Sequence, residues 1–176
     1  MHKYLLSFVL FFFLSFLSAE SISVMSINAQ NLFDTADDLG KDDKAFLPIE
    51  LKQTKEHKDS CNSINVKRWR MECFFQDWDE ETKIAKLENL VRVITSYNEN
   101  GADIIGLQEI ENMNILEQLF KLLEPYGYTD FLLLESTDKR GVDTAFITKY
   151  TISNPRLHYV NFSPSFETID TRPIFE

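Results

Sequence analysis

The sequence predicts an α/β fold, and three observations predict it. Residues 21–27 alternate small polar with apolar side chains, residues 80–95 carry apolar side chains at helical spacing, and residues 103–108 form a short apolar run directly afterwards. Strand, helix, strand in that order is the βαβ unit, whose right-handed crossover sets the two strands parallel in one sheet. The 176 residues, 44% hydrophobic and 26% charged, fit one globular domain.

Ahead of that unit, Met1-His2-Lys3 is basic, residues 4–17 are almost wholly apolar, and Ser18-Ala19 are small. This is the pattern of a signal peptide over residues 1–19. Its apolar run of roughly 14 residues falls short of the roughly 20 needed to cross a bilayer, which favours a secreted or periplasmic product over an uncleaved anchor. Residues 20–176 then form the folded part. The first strand, residues 21–27, ends at Asn28. Residues 36–78 turn polar and aperiodic, as expected of a surface insertion beside a site, with Trp69, Phe74, Phe75 and Trp78 as anchors. Export also governs the two cysteines: outside the cytoplasm thiols oxidise, so Cys61 and Cys73 are expected to pair. No histidine pair stands near them at zinc spacing.

Asp79 can cap the helix, with Glu80 and Glu81 favourable in its first turn. Ile84, Leu87, Val91 and Ile94 form its expected buried stripe, and Gly101 can leave it in a left-handed conformation. Asn112 or Asn114 can cap a second helix that buries Leu116, Leu119, Phe120 and Leu123 and stops at Pro125 and Gly127. Residues 131–134 read as a third strand, 138–141 as a turn, 142–148 as a fourth strand and 157–162 as a fifth. An extended segment starts at 171–176.

Lys plus Arg number 18 against 28 Asp plus Glu, a formal charge of -10. That excludes a protein that coats nucleic acid, whose affinity rests on clustered cations; Lys67-Arg68 with Arg70 is the densest basic group. A nuclease engaging a few phosphates through a metal stays open, since a bound cation inverts the local field.

With the first two strands parallel, Asn28 and Glu109 both fall just beyond strand C-termini, the edge where open α/β sheets place ligands. A carboxylate and an amide oxygen suit a hard cation such as Mg²⁺. Glu111, two residues on, would share the face of Glu109 if the strand continued, and is an alternative second ligand. On its own, a glutamate at a strand end is more often merely solvated.

Four motifs in one order add to this. Residues 26–34, Ser-Ile-Asn-Ala-Gln-Asn-Leu-Phe-Asp, resemble the opening strand of the endonuclease/exonuclease/phosphatase family, the metal-dependent phosphodiesterases related to DNase I and the bacterial sphingomyelinases. Residues 103–112, Asp-Ile-Ile-Gly-Leu-Gln-Glu-Ile-Glu-Asn, resemble its second motif. Residues 138–147, Asp-Lys-Arg-Gly-Val-Asp-Thr-Ala-Phe-Ile, resemble an arginine-glycine strand of its secreted branches, and 171–174, Thr-Arg-Pro-Ile, the arginine-proline strand that follows. The resemblance implies the first half of a four-layer α/β/β/α sandwich. It matches Glu109 to the metal-binding glutamate, Asn28 to the catalytic asparagine beside it, Arg140 and Asp143 to a catalytic motif lining the cleft, and Arg172 to an arginine at the substrate phosphate.

The implied cofactor is Mg²⁺, or another divalent cation such as Mn²⁺ or Ca²⁺. The implied partner is a phosphodiester substrate, nucleic acid or phospholipid head group, with no stable protein partner. The family's later motifs, a histidine-serine strand, a Gly-Asp-x-Asn strand and a terminal Ser-Asp-His, have no match before Glu176, and His2, His57 and His158 lack their context. The expectation is therefore the N-terminal portion of a secreted phosphodiesterase, inactive as this chain alone. The alternative is a non-catalytic secreted binding protein that retains the scaffold.

Overall fold

A four-stranded sheet organises the chain in the computed structural model, which describes residues 21–136, 138–159 and 174–175. Its strands are β1 (Val24–Leu32), β2 (Ile104–Ile110), β3 (Asp130–Leu134) and β4 (Asp143–Thr148), in the spatial order β1-β2-β4-β3. β1 and β2 run parallel, with Val24 opposite Ile104 and Asn28 opposite Gln108; β4 runs antiparallel to both β2 and β3. The helices are α1 (Lys55–Asn62), α2 (Lys67–Phe75), α3 (Glu80–Thr95) and α4 (Met113–Leu123). A separate antiparallel pair joins β5 (Leu157–His158) to β6 (Ile174–Phe175). This is a mixed α/β fold of the kind that makes up part of a DNase I-like sandwich.

Alternation along the strands directs Met25, Ile27, Ile105, Leu107, Leu133, Ala145 and Ile147 to one core with α3 and α4. Helix α4 buries Ile115, Leu116, Leu119, Phe120 and Leu123, and Phe120 stacks on Phe131 of β3 with ring centroids 4.4 Å apart. The sheet's other face carries Val24, which is exposed, and Ile104, Leu132 and Phe146, which are half-buried.

The capping residues act as the sequence suggests. Asp79 accepts from Thr82 N, and Asn112, rather than Asn114, accepts from Ile115 N at 3.0 Å. Gly101 is left-handed at φ 75°, and a Cβ there would lie 2.3 Å from the Tyr128 hydroxyl, which itself donates to Ala102 O.

Four expectations need correction. β1 does not stop at Asn28 but continues to Leu32 through a bulge. The buried stripe of α3 is Lys83, Leu87, Leu90 and Ile94; Ile84 is exposed, because the stripe is turned by one position and the Lys83 ammonium reaches out to Glu80 at 2.7 Å. The segment 36–78 is not structureless: it holds two single-turn 3₁₀ helices, Lys44–Phe46 and Leu51–Gln53, besides α1 and α2. Of its expected aromatic anchors only Trp78 is buried, against Phe46 and Phe33, whereas Trp69 and Phe75 are exposed and Phe74 is half-buried.

Periodicity could not reveal the true anchors of that segment. Lys52, 1% exposed, donates from Nζ to Ala45 O at 2.9 Å and to Gln76 O at 2.6 Å, tying two distant points of the segment together. Cys61 of α1 and Cys73 of α2 are joined as a disulfide, Cα atoms 5.6 Å apart, and His57 Nε2 lies 3.0 Å from Cys73 O. Residues 1–19, Arg172 and most of the expected strands at 157–162 and 171–176 lie outside the described residues. No described helix is long and apolar enough to cross a membrane.

Candidate metal and phosphate site at the ends of β1 and β2

β1 and β2 leave register at the same point. Regular pairing ends at Asn28 opposite Gln108 and resumes at Leu32 opposite Ile110, so three residues of β1 face the single Glu109 of β2. On its other side Glu109 is again the extra residue, because Gln108 pairs with Thr144 and Ile110 with Asp143. A bulge bends the strand and re-aims the side chain it carries.

The backbone shows the strain of this arrangement: Gln30, Asn31 and Glu109 have φ of 52°, 63° and 62°. Left-handed non-glycine residues cost about 1 kcal/mol or more each and persist where their surroundings fix them. Here three contacts do so. Asn28 Oδ1 accepts from Gln30 N at 2.7 Å, Glu109 Oε2 accepts from Asn31 N at 3.1 Å, and Lys86 Nζ, from α3, donates to the carbonyls of Gln30 and Asn31. Burial pushes the Lys86 ammonium below its ordinary range, and the negative charge of Glu109 works against that shift. Lys86 also lies 5.4 Å from the Trp78 ring.

Asn28 and Glu109 are thus brought to one sheet edge, Asn28 exposed and Glu109 half-buried. β4 starts opposite Ile110, so the 138–141 turn that precedes it, with Arg140, reaches the same edge. Arg140 is exposed; its amide donates to Asp138 Oδ1 at 2.8 Å and its Nε is 3.5 Å from the same oxygen. Asp143 is placed differently. Its carboxylate is buried and accepts from Ser136 N at 2.7 Å, which closes the β3–β4 connection. Arg172 lies outside the described residues.

Glu111 does not share the face of Glu109, because the bulge at Glu109 intervenes. It is 4% exposed and accepts from Asp34 N at 2.6 Å. Around it sit residues that the sequence reading missed: Asp34, Asp38 and Asp43, with Asn112 Nδ2 donating to Asp34 Oδ2 at 3.1 Å and to Asp38 Oδ2 at 3.3 Å. Burial pushes the Glu111 carboxyl up to about 8, and the charges of Asp34, Asp38 and Asp43 add to the rise. Burial likewise pushes Asp43 up to about 6, with Asp37 adding to it. The available signal was the crowding of acids at 34–43 directly after a strand, in a segment that looks merely solvated.

The model of the Endonuclease/Exonuclease/phosphatase family matches residues 71–172. The chain belongs to this family. No curated protein and no solved structure matches the sequence significantly. Membership of the endonuclease/exonuclease/phosphatase family makes the chain a phosphodiesterase- or phosphatase-like hydrolase in general terms, and members of the family are generally dependent on a divalent metal. The matched span takes in Glu109, Arg140, Asp143 and Arg172; Asn28 precedes it and joins the site through the pairing of β1 with β2.

The donors present at this edge fit such a metal. Glu109 offers carboxylate oxygen and Asn28 an amide oxygen with a second lone pair beyond the bond to Gln30 N. Among the described residues no further acid, histidine or cysteine joins Glu109 in a group of three ligands within 4.8 Å of one another. A carboxylate and an amide oxygen are donors that suit a hard divalent cation.

Proposed function

We propose that this chain is the N-terminal portion of an exported, Mg²⁺-dependent phosphodiesterase, with Glu109 as the metal ligand. The observation that carries the reading is the shared bulge, which sets Glu109 beside the end of β1 and fixes its carboxylate through Asn31 N. Strain concentrated at a ligand-facing sheet edge is characteristic of functional sites. Mn²⁺ or Ca²⁺ could replace Mg²⁺ in the same oxygen donors.

In this reading Glu109 and Asn28 hold the cation, which when bound supplies positive charge to the phosphate and the leaving oxygen. Arg140, exposed on the neighbouring turn, presents a planar fork suited to two phosphate oxygens, and Arg172 takes the same role from the arginine-proline segment. Asp143 acts as a positioning residue, holding the turn that carries Arg140 through its bond to Ser136 N. Lys86 holds the two left-handed carbonyls in place and lends the Glu109 carboxylate a nearby positive charge. The substrate is a phosphodiester, of nucleic acid or of a phospholipid head group, and the hydrophobic leader at residues 1–19 directs the protein out of the cytoplasm.

The test is Mg²⁺-stimulated hydrolysis of a generic phosphodiester by the longer protein of which this chain is the N-terminal portion, together with Mn²⁺ binding followed by electron paramagnetic resonance. Glu109→Gln should lower hydrolysis by about 10²–10³-fold, the scale for loss of one group that stabilises transition-state charge. It should also weaken Mn²⁺ binding. Unchanged Mn²⁺ affinity in the variant removes Glu109 from the metal site.

A further inference from the structure

Behind the catalytic edge, a second group of acids converges on the loop that leaves β1. Asp34, Asp43 and Glu111 are 5%, 1% and 4% exposed, and Asp38 is half-buried. Hydrogen bonds bind them into one unit: Asp34 N donates to Glu111 Oε2 at 2.6 Å, Asp38 N donates to Asp43 Oδ2 at 2.7 Å, and the Asn112 amide links the Asp34 and Asp38 carboxylates. Asn114 Nδ2 is a second side-chain amide donor to Asp34 Oδ2, at 2.8 Å.

Two oxygens in this unit are left over. Glu111 Oε1 and Asp43 Oδ1 are fully buried, and neither has a hydrogen-bond partner. A buried carboxylate oxygen without a donor or a cation is costly, and two of them beside two further carboxylates are more so. No neighbouring ammonium group bonds to either oxygen: Lys44 bonds to Asp37, its charge acting on Asp43 without a hydrogen bond, and Lys83 bonds to Glu80. The charges of Asp34, Asp38 and Asp43 all act on Glu111.

We propose that Asp34, Asp38, Asp43 and Glu111 form a second divalent-cation site, distinct from Glu109 and selective for Ca²⁺. Ca²⁺ accepts six to eight oxygens in irregular geometry, including loop carbonyls, whereas Mg²⁺ demands a near-ideal octahedron. The Asn112 amide now spaces the Asp34 and Asp38 carboxylates, and no three of the four acids hold oxygens within 4.8 Å of one another. The cation therefore draws the 34–43 loop inward, and its effect is to fix the loop that begins two residues beyond the strained end of β1. The bulge separates the two sites, because Glu109 bonds to Asn31 N and Glu111 to Asp34 N.

The experiment uses the whole chain and needs no catalysis. Thermal melts are run in EDTA, in Mg²⁺ and in Ca²⁺, with Tb³⁺ luminescence excited through Trp78, whose indole donates to Phe33 O beside Asp34. Ca²⁺ at ten times Kd should raise Tm by roughly 3–6 °C and exceed the effect of equal Mg²⁺. Asp43→Asn and Glu111→Gln should each weaken Ca²⁺ binding at least about tenfold. Asp38→Asn, a change at the half-buried rim, should do the same in a protein whose EDTA-state Tm is close to that of the parent. Glu109→Gln should keep the Ca²⁺-dependent rise in Tm. A wild-type melt indifferent to Ca²⁺ overturns the proposal, as does full Ca²⁺ response in Asp38→Asn, or loss of response in Glu109→Gln. The catalytic assignment of Glu109 stands or falls separately, on hydrolysis and Mn²⁺ binding.

Discussion

Lys52 should make the protein more stable in mildly alkaline solution, and replacing it should erase that gain. Its ammonium is buried under the 36–78 segment, and burial pushes it down to about 8 from 10.5, with Asp77 opposing the shift. The unfolded chain therefore holds a proton on Lys52 between pH 8 and 10.5 that the folded protein has lost. Stability rises with pH wherever the unfolded state binds more protons, so the Lys52 contribution should climb across that window and be flat below it. A fall from 10.5 to about 8 corresponds to about 3 kcal/mol. Lys52→Met isolates it. Below pH 8 the variant gains by not burying a charge and loses the donor to Ala45 O and Gln76 O, each unsatisfied carbonyl costing about 1–3 kcal/mol. The two effects oppose each other, so the difference at a single pH decides little. The change in that difference with pH does. Urea unfolding of both proteins from pH 6.5 to 10.5 should show the parent gaining about 3 kcal/mol on the variant. A difference that stays constant across the range would refute the assignment of a buried, strained charge to Lys52.

Gly101→Ala should destabilise by about 2–4 kcal/mol in urea unfolding, because it joins a left-handed backbone to a clash with the Tyr128 hydroxyl, 2.3 Å from the new Cβ; a loss below about 1 kcal/mol would mean that Tyr128 moves freely. Cys61→Ser with Cys73→Ser should cost about 3 kcal/mol, the loop-closure value for a separation of 12 residues. A reductant should lower the Tm of the parent towards that of this double variant and leave the variant's own Tm unchanged.

The parts of the fold governed by local rules were legible. Alternation found β1, the caps at Asp79 and Asn112 found the starts of α3 and α4, and the apolar run at 103–108 found β2, because each depends on neighbours in sequence. Where tertiary contact decides, the pattern misled. Ile84 shares the hydrophobicity of Leu87 and Ile94 and yet is exposed, while Leu90 and the stem of Lys83 join the stripe and Val91 packs half-buried at its margin. The helices of the 36–78 segment escaped notice because their stability comes from a disulfide, a buried lysine and a histidine, none of which leaves an apolar period. Glu109 and Asn28 were legible as a pair because parallel strands end at one edge. The separate path of Glu111 was not, since it depends on a bulge that has no signature in Gln108-Glu109-Ile110.

That bulge makes residue count matter as much as residue identity at this edge. Between Gln108 and Asn112 the strand must satisfy three things in sequence: a carboxylate for the outer edge, an apolar side chain for the core, and a carboxylate for the interior beneath the 34–43 loop. A regular strand, with its strict two-residue alternation, would send Glu109 and Glu111 to the same side. One residue in the wrong-handed conformation breaks the alternation and lets two glutamates two positions apart serve different compartments. Removing a single residue there would preserve the composition of the motif and still turn one of its acids towards the wrong surroundings, so spacing in this stretch is itself a functional character.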